Sequence, residues 1–208
     1  MTKGKFIVIE GLDGSGKGTQ ITLLTEALRR MGSKVHRTAE PTDSVTGGLL
    51  RDALGGFVQR DAYELSALFL SDRIFHNVNP KNGIRHYLEQ GYDVICDRYY
   101  YSSFAYQGMD ADLSWVMDMN LHCPEILKPD LCIFLDISPA VGEERLSSDR
   151  SHREIYENVA TQQRVRKRFL EVFDLLKDNE NIKIVDAARS VEAVSADIIK
   201  ICEALKEK

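Results

Sequence analysis

Lys5-Phe-Ile-Val-Ile-Glu-Gly-Leu-Asp-Gly-Ser-Gly-Lys-Gly-Thr19 decides the fold. Residues 5–10 are an apolar run of strand composition that breaks into a glycine-rich turn. Beyond the turn, Ile21, Leu24, Leu28 and Met31 recur at the spacing of one helical face, and Gly32 ends it. Between strand and helix, Gly11 to Lys17 matches G-x-x-x-x-G-K, the phosphate-binding loop in the setting it requires. Its glycines let backbone N–H groups converge on phosphate oxygens at the positive end of the helix dipole. Lys17 carries an ammonium to the same phosphates. Gly11, Asp13, Gly14, Ser15, Gly16, Lys17, Gly18 and Thr19 are therefore the expected nucleotide cradle.

Working outward, short apolar runs at residues 34–38, 92–96, 131–136 and 182–186 predict four further strands. Helical patterns lie between them at about 61–79, 83–89, 113–121, 139–146, 157–177 and 190–205. Strands separated by helices predict an α/β domain with a parallel sheet covered on both faces. The 208 residues suit one domain, and 43% hydrophobic with 28% charged residues excludes a disordered or collagen-like chain. A net charge of −5 argues against a broad nucleic-acid or membrane surface, and no apolar run is long enough to span a bilayer. The four cysteines form no C-x-x-C pair, so core packing is expected of them rather than zinc or disulfides. A cytoplasmic protein without nucleic-acid or membrane partners is the expectation.

The cradle departs from the usual pattern at one place. Gly18 stands where Ser or Thr would touch Mg²⁺, so the metal is left to phosphates and water. Gly-Lys-Gly-Thr resembles adenylate kinases and their relatives, and nothing resembles the guanine-reading N-K-x-D of GTPases.

A second constellation, Asp97-Arg-Tyr-Tyr-Tyr-Ser-Ser-Phe-Ala-Tyr-Gln-Gly108, follows the third strand. Ligands bind beyond the carboxyl ends of strands in such sheets, which brings Asp97 and Arg98 toward the cradle. Arg98 offers a forked donor to phosphate, and Ser102, Ser103, Tyr106 and Gln107 offer donors to a sugar or base.

This segment resembles the D-R-Y-x-x-S-x-x-A-Y-Q-G stretch of thymidylate kinases, and the resemblance runs along essentially the whole chain. It implies a P-loop kinase fold with sheet order 2-3-1-4-5, transfer of phosphate from ATP to dTMP with Mg²⁺, a place in dTTP biosynthesis, and a homodimer. It implies that Asp13 contacts the acceptor's sugar, that Glu40-Pro41 borders the site, and that Arg51 lies near the acceptor phosphate. Ala39 stands where bacterial members often carry an arginine. Leu68-Phe-Leu-Ser-Asp-Arg73 resembles the thymine-binding helix. Phe69 and Arg73 are four apart and share a face, so a ring can stack on the base while a guanidinium meets a base carbonyl. Gln107 matches a position at the base edge and Tyr106 one beneath the sugar's 2′ carbon.

Residues 145–157 resemble the family's lid. Members keep a catalytic arginine either in the cradle or in the lid; Gly14 occupies the cradle position, which leaves Arg150 and Arg153 as candidates. Arg145 is expected to face the adenine. Asp97 is expected to orient the metal's water or Arg98. Two rivals share parts of this machinery: a kinase for dUMP, UMP or a nucleoside, and a P-loop switch that hydrolyses nucleotide without an acceptor.

Overall fold

A computed structural model of the chain describes residues 3–146 and 158–206. Five strands, β1 (Phe6–Gly11), β2 (Lys34–Ala39), β3 (Tyr92–Asp97), β4 (Leu131–Asp136) and β5 (Ile182–Asp186), pair in the order β2-β3-β1-β4-β5. All four pairings are parallel, with Val8 seated between Cys96 and Cys132. The expected strand order is the observed one. Helices α1 (Lys17–Arg30), α2 (Val45–Leu54), α3 (Ala62–Val78), α4 (Ile84–Glu89), α5 (Tyr100–Tyr106), α6 (Leu113–Leu121), α7 (Pro139–Leu146), α8 (Val159–Leu176) and α9 (Val191–Lys206) cover it.

Period-two alternation along β1 explains both layers. Ile7 and Ile9 face α1 and α9, where they meet Leu24, Leu28, Val194 and Ile198. Phe6 and Val8 face the other way, against Tyr99, Phe104, Phe169 and Phe173 of the α5 and α8 side. Burying each such side chain stabilises by about 1.5–3 kcal/mol, so the sheet sandwiched between these layers is the main stabilising element. A small third cluster, Leu50, Ala53 and Leu65, joins α2 to α3. Cys96, Cys132 and Cys202 are buried free thiols, as core packing requires.

Helix starts follow side-chain caps. Ser44 accepts from Gly47 N–H ahead of α2, Asp61 from Glu64 N–H ahead of α3, and Asn158 from Thr161 N–H ahead of α8. Two helices were not legible in the periodicity, α2 and α5. The first is short and glycine-containing; the second is almost wholly buried, so it carries no polar face to betray its period. Met31, expected on the apolar face of α1, instead caps the helix and is 47% exposed.

Candidate active site

The carboxyl ends of β1, β3 and β2 open onto a cavity of about 550 Å³. The cradle forms one wall, with Asp13, Gly14, Gly16, Lys17, Gly18 and Thr19 lining it. Gly16, the cap of α1, has φ 89° and Gly14 has φ 76°, a region that side chains disfavour. Gly14 also packs backbone to backbone on α7: a Cβ there would lie 2.3 Å from the carbonyl oxygen of Gly142. No arginine fits at that position without moving α7. Lys17 Nζ donates to the carbonyls of Gly11 (3.0 Å) and Leu12 (3.1 Å). Burial, and then the charge of Arg98, holds its ammonium below the usual lysine range. Gly11 and the buried Ser15 stand behind this wall rather than in it.

Opposite the cradle, the β3–α5 corner presents Asp97, Arg98, Ser102 and Ser103. Arg98 has φ 65°, the left-handed region, in a residue that is not glycine. Such a conformation costs about 1–2 kcal/mol and persists only where its surroundings enforce it. Arg98 N–H donates to Ile9 carbonyl at 3.0 Å, Nη2 to Asp13 Oδ1 at 2.5 Å, and Nη1 to Ser102 Oγ at 3.3 Å. Its guanidinium lies 5.4 Å from the centre of the Tyr106 ring. Asp97 Oδ1 is buried and makes no hydrogen bond among the described residues.

The third wall comes from α2, α3 and the segment between β2 and α2. Arg73 is 1% exposed: Nε donates to Glu40 Oε2 (2.8 Å), Nη1 to Asn120 Oδ1 (2.6 Å) and Nη2 to Ser103 Oγ (3.2 Å). Glu40 is held a second time by His76 Nδ1 at 3.0 Å, whose Nε2 meets Thr38 Oγ1 at 2.6 Å. Next to Arg73, the buried Asp72 accepts from Thr42 N–H, Thr42 Oγ1 and Ser44 Oγ, each at 2.7 Å, and so fixes the approach to α2. That approach carries Arg51, which donates to Thr42 carbonyl at 2.6 Å. Phe69 lines the cavity and also packs on the α2–α3 cluster, so it serves both the core and the site. Tyr106 and Gln107, nearly buried, close the floor; burial pushes the Tyr106 hydroxyl up to about 12.

Among the described residues, Arg145 does not reach this cavity; its Nη2 donates to Ala187 carbonyl at 3.1 Å. Arg150 and Arg153 lie outside the described residues. Sequence reasoning missed Glu10, Leu54, Asp72, His76 and Asn120. Polar residues clustered at 72, 73, 76 and 77 of α3 were a signal for Asp72 and His76 alone. Among the described residues no group of three or more His, Cys, Asp or Glu side chains forms a metal cage.

Comparison with known proteins agrees with this geometry. The family model described as thymidylate kinase matches residues 9–198. The chain is 38% identical over 199 residues to a probable thymidylate kinase of Staphylothermus marinus, covering 95% of this chain and 94% of that one. It is 36% identical over 210 residues to a thymidylate kinase of Caldicellulosiruptor saccharolyticus, covering 99% of each. A solved structure of thymidylate kinase from Candida albicans superposes with TM-score 0.81 at 27% identity, covering 98% of this chain and 93% of that one. A chain with this sheet order, this cradle and these matches has the P-loop kinase fold and belongs to the thymidylate kinase family.

Proposed function

We propose that the protein transfers the γ-phosphoryl group of ATP in line to the 5′-phosphate of dTMP, giving dTDP for dTTP synthesis. The observation that carries this reading is a single cavity lined both by the phosphate cradle and by Phe69, Arg73, Tyr106 and Gln107. Donor and acceptor machinery facing each other favours a kinase over a switch, which needs no acceptor pocket.

Phosphoryl transfer of this kind needs positioning and charge neutralisation more than covalent chemistry. Lys17 leaves its two carbonyl partners for the β- and γ-phosphates. Arg98, held by Asp13 and Ser102, spans the transferred group and the acceptor phosphate, and Arg51 binds the acceptor phosphate from α2. Asp13 reaches the sugar. Phe69 stacks on the base, with Arg73, Ser103 and Gln107 at its polar edges and Tyr106 under the 2′ carbon. Glu40 acts through Arg73. A lid arginine, Arg150 or Arg153, supplies the cation that Gly14 cannot, and Arg145 faces the adenine.

Mg²⁺, when bound, would neutralise phosphate charge. The residues fit such an ion held mainly by phosphate and water: Gly18 offers no hydroxyl, and the unpartnered Asp97 Oδ1 is a carboxylate oxygen suited to accept from a metal-bound water. No step depends on a direct protein–metal bond.

Residues 1–208 are read as one domain with its lid at about 145–157. Homodimer formation is supported by α3, whose Ala67, Phe75 and Val78 are apolar and exposed. Four free cysteines and the acidic balance suit the cytoplasm, without nucleic-acid or membrane partners. No helix among the described residues is long and apolar enough to cross a membrane.

An ADP-release assay over dTMP, dUMP, UMP, CMP and thymidine tests the reading. Release strongest with dTMP is expected. Preference for UMP or CMP, or release independent of any acceptor, would overturn it.

A further inference from the structure

Along β1 the residues facing α5 and α8 are Phe6, Val8 and then Glu10, so a carboxylate stands where the alternation calls for an apolar side chain. Glu10 is fully buried. Burial pushes its carboxyl up to about 7, against the pull of Arg98, Ser102, the Tyr99 N–H and Lys17. A group so placed is a burden on the core unless its bonds do something.

Among the described residues its bonds all run to one place. Oε1 accepts from Tyr99 N–H (2.9 Å) and Ser102 N–H (3.1 Å), and Oε2 accepts from Ser102 Oγ (2.7 Å). Tyr99, the cap of α5, makes no side-chain cap of its own. Glu10 therefore caps α5 from another strand, immediately after the left-handed Arg98. The third bond has a directional consequence. Where Glu10 is ionised, above about pH 7, the Ser102 hydroxyl gives its proton to it, and the lone pairs of that hydroxyl are left to accept from Arg98 Nη1. A partner that donated to Ser102 Oγ would turn that hydroxyl proton toward the guanidinium instead.

We propose that Glu10 is the positioning residue for Arg98, fixing its backbone corner through α5 and its guanidinium through the Ser102 hydroxyl. The inference rests on Arg98 acting on phosphate, as proposed above. Glu10 itself is fully buried and does not line the cavity.

Glu10→Gln separates this role from mere capping. A glutamine carbonyl still accepts the two backbone N–H groups, but its NH₂ donates to Ser102 Oγ and reverses the relay. A purely structural role predicts near wild-type turnover. Positioning of Arg98 predicts kcat reduced by about 10- to 100-fold with the KM for ATP changed less than about twofold, in a protein folded by circular dichroism. The decisive measurement is the double-mutant cycle with Arg98→Ala: once the arginine is gone, Glu10→Gln should add less than about twofold. Wild-type kcat for E10Q beside an impaired R98A overturns this inference alone, as do effects that multiply in the double mutant. Wild-type turnover by R98A overturns the reading of Arg98 and this inference with it. Should E10Q fail to fold, Ser102→Ala, which keeps the carboxylate and its bond to Tyr99 N–H, enters the same cycle with the same two outcomes.

Discussion

Glu40→Gln tests whether the third wall of the cavity is held by charge. The side chains of Glu40 and Arg73 are 2% and 1% exposed; Arg73 Nε donates to Glu40 Oε2 at 2.8 Å, and Nη2 lies 2.7 Å from the same oxygen. Removing one partner of a buried pair typically costs about 3–5 kcal/mol, because the remaining charge stays out of water without compensation. Glutamine keeps one carbonyl acceptor, which places the expected loss near about 3 kcal/mol, the low end of that range. In a chain of this size each kcal/mol lowers the melting temperature by about 2–4 °C, so a fall of about 6–12 °C is expected. Thermal unfolding of both proteins, followed by circular dichroism at one pH, measures it. The second variant, Arg73→Met, leaves Glu40 bound to His76 and should cost less than Glu40→Gln. Together the two substitutions should cost less than their sum, since the stranded charge is gone. A fall of under about 2 °C for Glu40→Gln would refute the argument, showing that water reaches the pair.

Three further outcomes follow from the same geometry. Lys17→Ala should lower kcat at least about 100-fold with the melting temperature within a few degrees of wild type, since the folded chain loses only two hydrogen bonds, to the main-chain carbonyls of Gly11 and Leu12. Tyr106→Ala should narrow the ratio of kcat/KM between deoxy and ribo acceptors while leaving the dTMP/dUMP ratio, about 10- to 200-fold for one methyl group, nearly unchanged; an unaltered deoxy preference removes Tyr106 from that role. Burial pushes the Glu10 carboxyl up from 4.5 to about 7, so the folded state holds its proton more tightly than the unfolded chain and stability falls as pH rises from 4.5 through 7. Relative to wild type, Glu10→Gln should therefore gain stability between pH 5 and pH 8, by up to about 3 kcal/mol in urea unfolding, and a gap that is constant across that window would contradict the burial of an ionised Glu10.

The sheet was legible because parallel strands buried on both faces are nearly continuous apolar runs, and because the cradle tied β1 to α1 at a fixed spacing. The cradle and the Asp97–Gly108 segment were legible because residues of both line the cavity and form local motifs. Apart from Leu54, which lines the cavity, what escaped were residues whose bonds run to other side chains or backbone of the site. Asn120 is on α6, 47 positions from the Arg73 that it holds, and nothing in the spacing of either helix relates them. Glu10 looked like the last residue of a strand because its partners, Tyr99 and Ser102, are 89 and 92 positions away. Even α5 was hidden for a related reason: with both its faces buried, it shows aromatic and small residues but no polar stripe.

The arginines around the cavity differ in how they are restrained, and the difference matches the work assigned to them. Arg73 is fastened on three sides by Glu40, Asn120 and Ser103, and its ring neighbour Tyr99 lies 5.2 Å away. Such a group cannot swing, which is what recognition of a neutral base by directed hydrogen bonds requires: a misplaced donor loses discrimination as well as affinity. Arg51 is 47% exposed, bonded to the Thr42 and Pro41 carbonyls, and 3.8 Å from the fully exposed Asp43. Exchanging those contacts for a phosphate costs little, because exposed pairs contribute about 0–1 kcal/mol. Arg98 stands between the two, its backbone locked in a left-handed corner while its guanidinium bonds the half-buried Asp13. The proposed reaction, in which a base is held still while phosphate charge moves past it, calls for both kinds of cation. This chain places them on separate elements, α3 for the rigid one and α2 for the mobile one, joined by Asp72 beneath the Thr42–Ser44 turn. Loosening Asp72 should therefore disturb Arg51 without displacing Arg73, because among the described residues the carboxylate bonds only the segment that leads into α2.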